Sequence, residues 1–145
     1  TPEIVAATAK STVAAVASNP AKLKLAVDAM MGTAADQAKP QDVYNLVKGA
    51  VGSTSENAAS SVSDVVSSVF TSFADSSPAK QQQALRGVED AFSAAADSGN
   101  LTSTELNALE AEILAGAEGN LTPAEKRALE AKLRAAKNKA KVKAS

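Results

Sequence analysis

Chemistry in this chain must come from carboxylates, ammonium and guanidinium groups, hydroxyls and a single phenol. The 145 residues contain no His, no Cys and no Trp. The densest reactive group is cationic: Lys126, Arg127, Lys132, Arg134, Lys137, Lys139, Lys141 and Lys143 crowd the final fifth of the sequence. On a helical wheel Leu129, Leu133, Ala136 and Ala140 form a narrow apolar stripe. Lys126, Arg127, Arg134, Lys137 and Lys141 fall to one side of it, and Lys132, Lys139 and Lys143 to the other. Such a cluster attracts anions, and three partners fit. One is an acidic protein surface, including that of a second copy of this chain. The second is nucleic acid, held through its phosphates. The third is an anionic membrane. Two bulky apolar residues without an aromatic are too few for membrane insertion. No aromatic interleaves the lysines to stack on bases, although the Ala/Lys-rich ending suits phosphate contacts. A charge run is also commonly just a solvated face, and that plain alternative stands beside the three.

The net charge of −1 conceals a polarity. Residues 1–131 hold nine basic and sixteen acidic groups, whereas residues 132–145 hold six basic and none acidic. The chain therefore divides into an acidic helical body, 1–131, and a basic C-terminal helix extension or tail, 132–145.

Other constellations give less. Asp97-Ser98-Gly99-Asn100-Leu101-Thr102-Ser103-Thr104-Glu105 matches the second half of a calcium loop, with Gly99 at the turn and Glu105 as the bidentate ligand. The first half fails, because its ligand positions fall on Ala94 and Ala96 and a hard cation needs about six to eight oxygens. No metal and no cofactor is expected. Asn100-Leu101-Thr102 and Asn120-Leu121-Thr122 are glycosylation triplets that turn and cap geometry already explains. Glu89 and Asp90 are adjacent, so on a helix they diverge by about 100° and form no facing acid pair. Without His there is no imidazole base, no axial haem ligand and no His–carboxylate metal cluster. No nucleophile–base pair can be named, and the chain is expected not to be an enzyme. Tyr44 reads as an amphipathic residue at the core edge, and Met30 and Met31 as gap-fillers.

These side chains need a scaffold, and the sequence punctuates one clearly. Thr1-Pro2-Glu3, Asn19-Pro20, Pro40 and Ser77-Pro78 each read as a helix start, with Pro at the first helical position. The second helix is expected to end at Gly32, with Thr33–Lys39 as a loop, and the third near Gly52. Ser53-Thr54-Ser55-Glu56 fits a capping box for the fourth. Val62, Val65, Val66, Val69, Phe70 and Phe73 then form a clean 3.6-period stripe. The fifth helix carries Leu85, Val88, Phe92 and Ala95. Gly99-Asn100-Leu101-Thr102…Glu105 recurs twenty residues on as Gly119-Asn120-Leu121-Thr122…Glu125. Each copy closes one helix with Gly and opens the next with Thr and Glu. In the second copy Lys126, Arg127 and Arg134 replace Leu106, Asn107 and Leu114, so apolar surface is exchanged for charge.

Alanine supplies 33 of the residues, which favours close helix approach. The expected fold is an all-α, single-domain bundle of six or seven short to medium helices. An antiparallel hairpin of helices four and five is placed at its centre. The expected function is that of a non-enzymatic structural or protein-interaction subunit. It would be an accessory or assembly component, or a self-associating one, docking through its basic C-terminal helix. The alternatives are a nucleic-acid-associated protein using the same segment and a carrier of a small apolar ligand between helices four and five. No apolar run approaches the roughly 18–20 residues of a membrane span. The sequence opens at Thr1 rather than Met, which fits an exported or organelle-lumenal mature chain and equally the removal of an initiator Met, so the compartment stays open.

Overall fold

A computed structural model describes residues 2–144, and Thr1, expected to cap the first helix, lies outside them. Seven α-helices are found among the described residues: α1 Pro2–Val16, α2 Pro20–Gln37, α3 Pro40–Asn57, α4 Val62–Ser72, α5 Pro78–Asp97, α6 Ser103–Ala117 and α7 Pro123–Asn138. All five prolines of the sequence open a helix, where the missing N–H costs nothing and φ is already set. Asn19 accepts from the Lys22 N–H at 3.1 Å, and Ser77 accepts from the Lys80 N–H at 3.3 Å.

Two helices run past their expected ends. α2 continues to Gln37, so Thr33–Gln37 is helix rather than loop. Gly32 has nothing within 4 Å, and the next turn is held by Ala34, which is buried. α3 passes Gly52 to Asn57, and the capping box expected at Ser53 and Glu56 does not form. The Ser53 hydroxyl donates instead to the Lys10 carbonyl at 3.0 Å. Thr54 and Ser55 donate to the carbonyls of Ala50 and Val51, four residues back, at 2.8 and 2.9 Å. Bonded to carbonyls of the preceding turn, the Thr54 and Ser55 hydroxyls are satisfied inside the helix and do not start a new one. α4 begins only at Val62, after a 3₁₀ turn over Ala59–Ser61.

The centre of the bundle also differs from expectation. α3 lies between α1 and α5 and makes its most extensive packing with those two. α4 packs chiefly on α6 and α2 and meets α5 only slightly. Glycine sets these closest approaches. A Cβ on Gly49 would lie 2.7 Å from the Ala6 carbonyl oxygen. On Gly87 it would lie 2.9 Å from Val47 Cβ, and on Gly116 2.5 Å from the Ser63 carbonyl oxygen. The crossings of α1 with α3, α3 with α5 and α4 with α6 thus each have a bare backbone at the contact.

One continuous core results. The α4 stripe is buried as its period requires, with Val62, Val65, Val66, Val69, Phe70 and Phe73 all inside. Phe92, Leu106, Ile113, Leu129 and Leu133 complete it from α5, α6 and α7.

Candidate docking surface

α7 starts from a closed cap. The Thr122 Oγ1 accepts from the Glu125 N–H at 3.2 Å, and Glu125 Oε1 accepts from the Thr122 N–H at 2.9 Å. Thr102 and Glu105 repeat that geometry at α6, at 3.1 and 2.9 Å. Gly99 and Gly119 take the left-handed conformation, φ +74° and +79°, before each cap. The repeated cassette is therefore a helix-start device. Its Glu105 carboxylate is held by the Thr102 N–H, which pulls its pKa below the ordinary value.

Leu129 and Leu133 anchor α7, and both are fully buried. The helix packs mainly on α5 and less on α6. Beyond Asn138 the chain stays on the body. The Lys141 N–H donates to the Ala96 carbonyl at 3.2 Å and the Lys143 N–H to the Leu101 carbonyl at 2.8 Å. Two backbone hydrogen bonds thus pin this segment against the α5–α6 turn.

The eight basic residues separate into three sets. Lys126 pairs with Glu118, and Lys137 with Glu110 at 2.8 Å and with Asn107 at 3.1 Å. Lys132 lies near Glu89 and Lys143 near Glu105, close enough to pull those carboxyls downward electrostatically. At Glu89 burial outweighs Lys132, and the net shift is upward. Arg127, Arg134, Lys139 and Lys141 have no acidic partner among the described residues, and all four are exposed. Arg127 and Arg134 are two turns apart on one helix face, about 10 Å along the axis. The structure therefore spends part of the basic charge on the acidic body and leaves a shorter ridge in solvent.

Sequence reasoning missed two features. The Tyr44 hydroxyl, on α3, donates to the Asp90 carboxylate on α5. Arg86 and Lys48 lie over the Tyr44 ring at 5.7 and 5.9 Å. Burial, with the adjacent Asp90 charge, pushes the phenol up to about 12. Only the helical spacing of Tyr44 with Lys48, and of Arg86 with Asp90, could have hinted at this cluster. The second feature is an open apolar trough of about 670 Å³ between α1, α2 and α3. A smaller recess of about 490 Å³ at α4, α5 and the start of α7 is lined by Phe70, Phe73, Leu85 and Leu121. Among the described residues no three carboxylates gather to hold a metal ion, and no helix is long and apolar enough to cross a membrane.

Among the described residues, fold and surface define an all-α bundle of seven helices whose last helix presents Arg127 and Arg134 exposed and without acidic partners. Comparison with family models, with curated proteins and with solved structures finds no match for this chain.

Proposed function

We propose that this chain is a non-enzymatic interaction subunit that docks, through the basic face of α7 and the segment after it, onto an acidic protein surface. The observation that carries the reading is the set Arg127, Arg134, Lys139 and Lys141, exposed and without acidic partners among the described residues. A rigid helix presents the two arginines at fixed spacing, and guanidinium forks suit bidentate carboxylate recognition. Leu129 and Leu133 fix the helix beneath them, so little ordering is left for the moment of binding.

An acidic protein patch fits better than nucleic acid. The ridge is short and lacks an aromatic, and residues 1–131 carry a net −7 that repels an extended polyanion beyond the ridge. A local acidic patch meets the cations without running along the body.

Amide chemical-shift mapping of the full chain tests the reading. An acidic peptide should move resonances clustered on Arg127, Arg134 and Lys139–Lys141. Equal or stronger shifts with duplex DNA at moderate salt would favour the nucleic-acid alternative, and no shifts with either would overturn docking through this face.

A further inference from the structure

Three large apolar side chains are exposed among the described residues: Ile4, Leu25 and Val142, at 64%, 69% and 51%. Ile4 and Leu25 stand on α1 and α2, the helices that wall the open trough. The trough itself is lined by Val5, Ala26, Ala29, Met30 and Leu46, and the only charged side chain lining it among the described residues is Asp42. Val142 stands elsewhere, between Lys141 and Lys143, on the segment pinned to the α5–α6 turn. One surface is an apolar trough with a single carboxylate in its lining. The other is an apolar knob flanked by ammonium groups.

The geometry points to a second copy of this chain as the occupant of the trough, with Val142 of one copy seated among Ala26, Ala29 and Met30 of the next and a flanking lysine against Asp42. This rests on the docking role proposed for the basic segment and adds a second copy as the partner of its last residues. Charge complementarity favours it: the trough offers one anion, and the knob brings cations on both sides.

The knob does not sit in the trough of its own molecule: Val142 is exposed, and neither Ala96 nor Leu101, which hold its segment, lines the trough. Ala34, which lines the trough, accepts together with Ala35 from Lys80 Nζ at the start of α5, at 3.3 and 2.7 Å. The knob is held at the other end of α5, at the Ala96 carbonyl. A contact between unlike surfaces of two molecules is heterologous, so it propagates head to tail into chains or a ring. The surfaces are small, so the association is weak and concentration-dependent.

Sedimentation velocity of the full chain at low salt tests this. The expected result is a sedimentation coefficient that rises over a roughly hundredfold concentration range and falls back at high salt. Ala29→Arg, from an exposed position, fills the trough with a cation, and Val142→Asp reverses the knob. Each should remain folded by circular dichroism and sediment as a monomer. Mixed in equal amounts, the two variants retain one complementary pair, the knob of the first and the trough of the second. They should form a heterodimer that grows no further. A monomer at every concentration, variants that associate like the parent, or a mixture that stays monomeric overturns the proposal. Acidic-peptide binding at Arg127 and Arg134, followed in the same proteins, separates the two claims. A monomeric chain that still binds the peptide removes the head-to-tail contact and keeps the docking role, whereas a monomer that binds no peptide removes both.

Discussion

Lys137 Nζ lies 2.8 Å from Glu110 Oε1, joining α7 to α6 across twenty-seven residues of sequence. The two side chains are only 29% and 18% exposed, so water screens this pair less than it screens Lys126 and Glu118. Part of the basic segment is thus a clasp on the molecule's own acidic body. Lys137 also sits in the last turn of α7, where a cation complements the helix dipole.

The clasp and the ridge should respond differently to substitution. Lys137→Ala is expected to cost about 1 kcal/mol in urea unfolding, at the upper end for a partly exposed pair. Arg134→Ala, which breaks no pair, should stay within about 0.5 kcal/mol of the parent. A double-mutant cycle with Glu110→Ala isolates the pair, and a coupling near zero would remove the clasp.

The helix crossings give a sharper test, because propensity and packing predict opposite signs. Alanine is favoured over glycine inside a helix by about 1 kcal/mol. Gly32→Ala and Gly52→Ala add a methyl to open space and should gain up to that amount. Gly49→Ala and Gly116→Ala drive a methyl into the backbone carbonyls of Ala6 and Ser63 and should lose about 1–3 kcal/mol despite the better propensity. Chemical denaturation of the four variants checks the assignment of α1, α3, α4 and α6 as directly packed pairs.

Tyr44 is the only tyrosine and there is no tryptophan, so ultraviolet absorbance follows its ionisation without interference. The phenol should titrate near 12 rather than near its ordinary value. Asp90→Asn keeps the burial but removes the adjacent charge, and should bring the midpoint down. Tyr44→Phe keeps the ring and deletes the hydroxyl that Asp90 accepts from, at a cost of about 1–2 kcal/mol.

Two carboxyls should give pH dependences of opposite sign. Asp28 is lowered chiefly by the Ser68 hydroxyl. Its contribution is present above the unfolded value and lost as pH falls through the lowered folded value. Asp28→Asn should therefore melt below the parent near neutral pH, with the gap closing in acid. Glu89 is raised, chiefly by burial. Its effect is favourable below the unfolded value and lost as pH rises through the raised folded one. Glu89→Gln should then melt above the parent near neutral pH and match it below about pH 4. Melting curves across this range check both signs.

Six of the seven helix starts were legible in the sequence because proline and the Thr–Glu cassette have few other uses at those positions, whereas α4, expected from Ser53, begins at Val62. The stops were less so. Gly32 and Gly52 look like terminators, yet a glycine inside a helix costs only about 1 kcal/mol, which the buried turns beyond them offset. The central role of α3 was hidden for a related reason. Its buried positions include Gly49, Ala50, Ser53 and Thr54, small or polar residues that form no hydrophobic stripe. A helix selected for close approach advertises itself by small side chains rather than by large apolar ones. The basic residues were evident from composition. Their partners Glu110 and Glu118 were not, since only the fold brings α6 under α7.

The docking role of α7 is tested most directly by the affinity of the full chain for a labelled acidic polypeptide, compared with the Arg127→Glu, Arg134→Glu double variant. Both substituted positions are exposed and unpaired among the described residues, so the bundle should keep its melting temperature. Affinity should fall by about tenfold or more, corresponding to at least about 1.4 kcal/mol. An unchanged affinity in a folded double variant would contradict the docking role.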